Sequence, residues 1–172
     1  MPSKTDGTFF KQMKSTLLIG YGNPDRGDDG VAWHMLNLVL KENGSKEDDL
    51  FSSDILHVRE GLDIWFNFQL LPEMAETVAA YERVIFIDAH TGEVKEEISL
   101  VRVEPQFQNS PLTHHFNPPS CLALAQSLTG KYPEAWLLSV RGYQFAFSRD
   151  LTSQTRALVE KAWQLLSEEF FA

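Results

Sequence analysis

The chain has 172 residues, about one domain's worth, and 43% of them are hydrophobic, so a full core is available without cross-links. Its 15 basic and 24 acidic residues leave a formal charge of −9, which repels phosphate backbones and argues against nucleic-acid binding. A single cysteine excludes a disulfide framework and an all-cysteine zinc site, and no run approaches the ~20 apolar residues of a membrane span.

In chain order, residues 1–14 are mixed and polar and read as a flexible extension, with residues 15–172 forming a single domain. The extension lacks the apolar stretch of a signal peptide, and with the lone cysteine this points to the cytoplasm. The apolar run from Ser15 to Gly22 predicts a buried strand. An acidic turn over residues 23–30 leads into a helix from Val31 to about Lys41, with Val31, Met35, Leu38 and Val39 at helical spacing. Lys46 to Asp49 reads as a solvated charged loop, and Asp54 to Arg59 alternates as a strand does. Leu62–Leu71 is aromatic and reads as an insertion covering part of the core. Pro72 suits the first turn of a helix running to about Tyr81.

Val84–Asp88 is a second fully apolar strand that ends on a carboxylate, and Glu97–Val103 alternates again. A polar loop over 104–117 leads to a helix with Asn117 as N-cap and Pro118 at its first position. Trp136–Val140 reads as another buried strand. The chain closes with an amphipathic helix from Leu151 to about Phe170, its apolar stripe drawn through Leu151, Thr155, Leu158, Ala162, Leu165 and Leu166. Helices alternating with apolar strands predict an α/β fold of three layers: a mainly parallel sheet of about five strands with helices on both faces.

In such folds ligands bind beyond the carboxyl ends of the strands. Three segments bring chemistry there: the turn holding Asp25, Asp28 and Asp29, the strand end at Asp88, and the loop carrying His114 and His115. Asp28 or Asp29 can serve simply as a helix cap, and a His-His pair is often surface polarity, but two carboxylates and an imidazole at one edge make an O,O,N metal site. Gly20-Tyr-Gly22-Asn-Pro-Asp25 opens like a dinucleotide loop, yet Asp25 stands where the third glycine belongs, and no GxxxxGK[ST] or GxSxG motif is present. Cys121 near a helix start, with His114 or His115, is the remaining nucleophile candidate, though its apolar surroundings favour a packed residue. His34 and His57 lie within regular elements and read as structural, while Trp33 and Trp65 can border a cleft.

The stretch Leu17-Leu-Ile-Gly-Tyr-Gly-Asn-Pro-Asp-Arg-Gly-Asp-Asp-Gly-Val31 closely resembles the opening motif of the nickel–iron hydrogenase maturation endopeptidases. The resemblance continues through Leu71–Ala75, Arg83–Ala89, Thr113–Pro118 and Leu137–Tyr143, and covers residues 15–170; the pattern fits poorly only over Asp63–Phe68. It implies a twisted, mainly parallel sheet flanked by helices. It also implies removal of a C-terminal extension from a nickel-loaded large-subunit precursor, with the divalent metal, nickel, supplied by that substrate. By motif position the metal contacts fall on Asp29, Asp88 and His114, with His115 as the alternative to His114. A bound divalent ion polarises a carbonyl and acidifies water, and Asp29 or Asp88 then doubles as general base. Asp28 is expected to support the loop. Two other readings remain open at this point: a nickel-dependent recognition module without proteolysis, and a cysteine hydrolase built on Cys121.

Overall fold

A computed structural model describes residues 13–45, 47–52, 54–108 and 116–172. Six strands form one sheet: β1 (Thr16–Tyr21), β2 (Leu56–Arg59), β3 (Leu62–Asn67), β4 (Arg83–His90), β5 (Ile98–Arg102) and β6 (Glu134–Arg141). Their order is β2-β3-β1-β4-β6-β5. The four central strands are parallel, and β2 and β5 run antiparallel along the edges.

Alternation along each strand sends side chains to two apolar layers. Leu18, Ile64, Ile85, Ile87, Leu138 and Val140 face one layer, closed by α1 (Val31–Glu42) and α4 (Ser153–Phe170). Leu17, Ile19, Val84, Phe86 and Ala135 face the other, closed by α2 (Ala75–Val78) and α3 (Pro118–Thr129). The three-layer α/β architecture expected from the alternation is the one observed. No helix among the described residues is long and apolar enough to cross a membrane.

Local chemistry explains the helix ends. Asn117 caps α3 by accepting from the Ser120 N–H at 2.9 Å, Pro118 occupies the first helical position, and Gly130 closes the helix in the left-handed conformation at φ 78°. Thr152 caps α4 by accepting from the Thr155 N–H. The α1 helix lies close on β1 because Gly20 has no side chain: a Cβ there would stand 2.9 Å from Ala32 Cβ.

Several expectations need correction. Leu62–Leu71 is no insertion, because Leu62–Asn67 is β3, paired in parallel with β1 from Thr16↔Leu62 to Tyr21↔Asn67. Leu62, Ile64 and Phe66 point into the core, while half-buried Asp63, Trp65 and Asn67 alternate with them and blur the apolar signal. The helix predicted from Pro72 to Tyr81 is a short 3-10 turn (Pro72–Met74) followed by one turn of α2. The charged loop after α1 contains a 3-10 turn over Glu47–Ser52, and the strand predicted from Asp54 begins at Leu56. On α4 the buried stripe is Thr155, Val159, Ala162, Trp163 and Leu166, and Leu165 faces solvent. Trp163 earns its place there by donating Nε1–H to Glu42 at 2.7 Å, which fastens α4 to α1.

Phe86 is fully buried at the centre of the sheet. Phe86→Ala is expected to lower the free energy of unfolding by about 3–5 kcal/mol, read from urea titrations; a loss below about 1 kcal/mol would contradict its place in the core.

Candidate functional site

Strand order reverses between β1 and β4. From β1 the chain moves outward to β3 on one side, and from β3 it crosses back to β4 and on to β6. At such a switch point the connections leave a crevice at the carboxyl ends of the strands. Asp29 follows β1 and Asp88 lies near the end of β4, so both predicted carboxylates reach this crevice.

Asp29 is fixed by its own loop. Its Oδ2 accepts from the Asn23 N–H at 2.8 Å. Gly22 makes this possible, because it sits at φ 137° and a Cβ there would stand 2.3 Å from the Asp29 carbonyl oxygen. Asp88 is held similarly. Its Oδ1 accepts from the Ala89 N–H at 2.8 Å, and the Tyr21 hydroxyl donates to the same carboxylate. Each carboxylate therefore has one backbone N–H fixing its orientation.

Burial pushes the Asp88 carboxyl up to about 7, and the charge of Asp29 adds to that rise, against the lowering effect of the Ala89 and Tyr21 hydrogen bonds. Burial raises the Tyr21 phenol too, followed by the Asp88 charge, so the hydroxyl stays protonated and remains a donor. Among the described residues no basic side chain forms an ion pair with Asp29 or Asp88.

Asp28 has a different role from its neighbour. It is fully buried and its side chain accepts five hydrogen bonds: from the N–H groups of Tyr143 (2.8 Å), Gln144 (3.1 Å) and Thr152 (2.8 Å), and from the hydroxyls of Thr152 (2.8 Å) and Thr155 (3.0 Å). Burial raises its pKa, but the bonds from Tyr143, Thr152 and Gln144 outweigh that and hold it below the usual carboxylate range. Neither Asp28 nor Asp29 caps a helix through its side chain, since the N-caps of the 3-10 turn Gly27–Gly30 and of α1 have no side-chain bond.

His114 and His115 lie outside the described residues, and among those described no three ligating side chains converge as a metal site. Two carboxylates with anchored orientation fit a divalent cation as hard oxygen donors, leaving the remaining positions to other groups. Cys121 is fully buried and burial pushes its thiol up to about 12, so at neutral pH it is a protonated packing residue. His34 and His57 lie within α1 and β2; His34 contacts the Arg149 carbonyl at 3.1 Å, and His57 pairs with Asp63 at 2.9 Å. Tyr21 was missed at sequence level, although it ends the first apolar strand on the Ile19 face, one register step from Ile87 and beside Asp88.

No protein-family model matches the sequence, and no curated protein does. Solved structures do match. A NiFe hydrogenase maturation protease HycI from Thermococcus kodakarensis superposes with a TM-score of 0.62 at 16% identity, covering 92% of this chain and 94% of that one. The hydrogenase maturating endopeptidase HybD from E. coli gives 0.63 at 17%, covering 89% and 90%. A hydrogenase 2 maturation peptidase from Thaumarchaeota archaeon SCGC_AB-539-E09 gives 0.57 at 22%, covering 90% and 97%. At these identities the likeness establishes a shared fold over nearly the whole chain.

A carboxyl group raised from its ordinary 3.8 to about 7 binds a proton in the folded state that the unfolded chain has released. Its burial therefore costs nothing below about pH 4, and the cost grows as pH rises through about 7 to on the order of 4 kcal/mol. Asp88→Asn is expected to be more stable than the parent at pH 8 by a few kcal/mol, and no more stable at pH 4. Urea titrations at both pH values test this, and a pH-independent difference contradicts it.

Proposed function

We propose that the chain is an endopeptidase that removes the C-terminal extension of a nickel–iron hydrogenase large-subunit precursor. The observation that carries this reading is the pair of backbone-anchored carboxylates, Asp29 and Asp88, at the switch point of a sheet whose fold is shared with solved hydrogenase maturation proteases. The opening motif over Leu17–Val31 and the segment Thr113–Pro118 support the same assignment.

In this reading Asp29 and Asp88 engage nickel already held by the precursor, together with His114 or, as the alternative, His115. Nickel so held polarises the scissile carbonyl and acidifies a neighbouring water. One of the two carboxylates, Asp29 or Asp88, doubles as the general base. It takes a proton from the attacking water as the oxygen bonds to the carbonyl carbon. It then delivers that proton to the leaving amide nitrogen as the C–N bond breaks, so one new carboxyl end and one new amine leave. Tyr21 holds the Asp88 carboxylate in place throughout. The chain is read as acting in the cytoplasm. The protonated, buried thiol of Cys121 argues against a cysteine hydrolase.

Incubation of the purified chain with nickel-loaded and nickel-free precursor, followed by mass spectrometry, tests the proposal. Mass loss from the C-terminus of the loaded form alone is expected, whereas binding without mass loss would favour a recognition module. Asp29→Asn and Asp88→Asn are each expected to slow cleavage at least about a hundredfold while remaining folded. Comparison of His114→Ala with His115→Ala identifies the third donor as the variant that loses cleavage. Cys121→Ala is expected to cleave at the parent rate with a modest stability loss of about 1–2 kcal/mol; loss of turnover in that folded variant would reinstate the thiol as nucleophile.

A further inference from the structure

Phe147 is 91% exposed, more than any other large apolar side chain among the described residues. A ring left in water on a loose loop would be unremarkable, but the backbone that carries Phe147 is fastened. Gly27 N–H donates to the Ser148 carbonyl at 2.7 Å, Ser148 N–H donates to the Asp25 carbonyl at 2.9 Å, and Arg26 and Ser148 form a parallel bridge. On the other side Asp28 N–H donates to the Gln144 carbonyl at 2.9 Å, while the Asp28 carboxylate holds the N–H groups of Tyr143 and Gln144. Arg149 closes the clasp on Asp25 at 2.6 Å. The segment after β6 is thus zipped onto the loop that continues into Asp29.

Arg26 bridges Ser148, the residue that follows Phe147 in the chain. It is exposed, and its guanidinium has no ion-pair partner among the described residues, in a chain whose net charge is −9. Aromatic and arginine side chains anchor protein interfaces, and a group already held rigid loses little freedom on docking. A body seated here also lies against the loop carrying Asp29, so the position is continuous with the carboxylate site.

We infer that Phe147 and Arg26 form the docking point for the folded body of the protein substrate, the ring entering an apolar pocket and the guanidinium meeting a carboxylate at its rim. The inference rests on the endopeptidase reading for the identity of that substrate. Because Phe147 touches solvent rather than core, its replacement leaves the fold intact.

The test measures the dissociation constant of the full chain for nickel-loaded precursor, together with KM and kcat for its cleavage. Phe147→Ala is expected to weaken binding and raise KM at least about tenfold, with kcat within about twofold of the parent and an unchanged melting temperature. Arg26→Glu is expected to weaken binding in the same direction. Leu128→Ala, at a 60% exposed apolar residue near the end of α3, serves as the control and is expected to change neither constant. Parent-like binding and KM in Phe147→Ala overturn the inference even while cleavage by the parent upholds the endopeptidase. A parent that binds precursor without cleaving it, with binding lost in Phe147→Ala, upholds the docking point and overturns the endopeptidase. A parent that does neither overturns both. If Phe147→Ala instead alters self-association of the free chain and leaves precursor binding alone, the ring serves a second copy and the inference fails.

Discussion

Asp28 is the constraint on which the candidate site depends. A carboxylate without solvent exposure is costly unless its oxygens are occupied, and here five donors occupy them. Those donors come from the segment after β6 and from the start of α4, residues 115 to 127 positions away in sequence. One charge therefore joins the first loop, the loop after β6 and the N-terminus of the last helix. The Thr152 and Thr155 hydroxyls add to this by linking the cap of α4 to the same carboxylate, and Thr155 shares its one proton between Asp28 and the Arg141 carbonyl 2.9 Å away. Asp29 inherits its position from this clasp, since the residue before it cannot move.

The two ends of the strands treat half-buried carboxylates in opposite ways. At the amino end Glu134 is surrounded: Lys14 at 2.7 Å, Trp136 at 2.9 Å and Arg83 at 3.3 Å, with Arg102 at 3.7 Å. Burial pulls its pKa upward, but the Lys14 and Trp136 hydrogen bonds and the Arg83 charge overcome that and bring it down to about 2. At the carboxyl end Asp88 has no ion-pair partner among the described residues and a like charge close by, and burial with that charge raises its pKa to about 7. The backbone could supply a neutralised edge at both ends, as Glu134 shows. The difference is written in the side chains, and it leaves the raised carboxyl at the switch point, where ligands bind in open α/β sheets.

Much of the architecture was legible because it rests on local signals. Apolar runs marked β1, β4 and β6, and the Asn117-Pro118 pair marked the start of α3. The strand β3 escaped because Trp65 and Asp63 sit half-buried between inward residues, so its period of two was hidden inside an aromatic stretch. The face of α4 was misdrawn because Trp163 enters the interior through its bond to Glu42, a long-range partner that no local pattern discloses. At the site, Asp29 and Asp88 came from motif position and strand ends. The division of labour between Asp28 and Asp29 was partly legible from the motif, but its physical basis was not, because it depends on donors more than a hundred residues away. The histidine assignment falls on residues 113–118, and His114 and His115 lie outside the described residues.

The Asp29–Asp88 pair carries like charges with no ion-pair partner among the described residues. The charge of Asp29 makes ionisation of Asp88 costlier, so the pair favours a positive charge that can reach it. Proton uptake by Asp88 is one solution, available to the chain alone near neutral pH. A divalent ion is the stronger one, because it relieves the repulsion from both groups at once and displaces the proton in doing so. The anchored oxygens matter here: Asn23 and Ala89 N–H groups keep both carboxylates oriented whether or not a cation is present, so little rearrangement opposes binding. Such a pair binds weakly held metal poorly by itself with two donors, and well when the incoming partner supplies the remaining ligands. Under the proposed function, that asymmetry would let the site distinguish a precursor that carries its metal from one that does not.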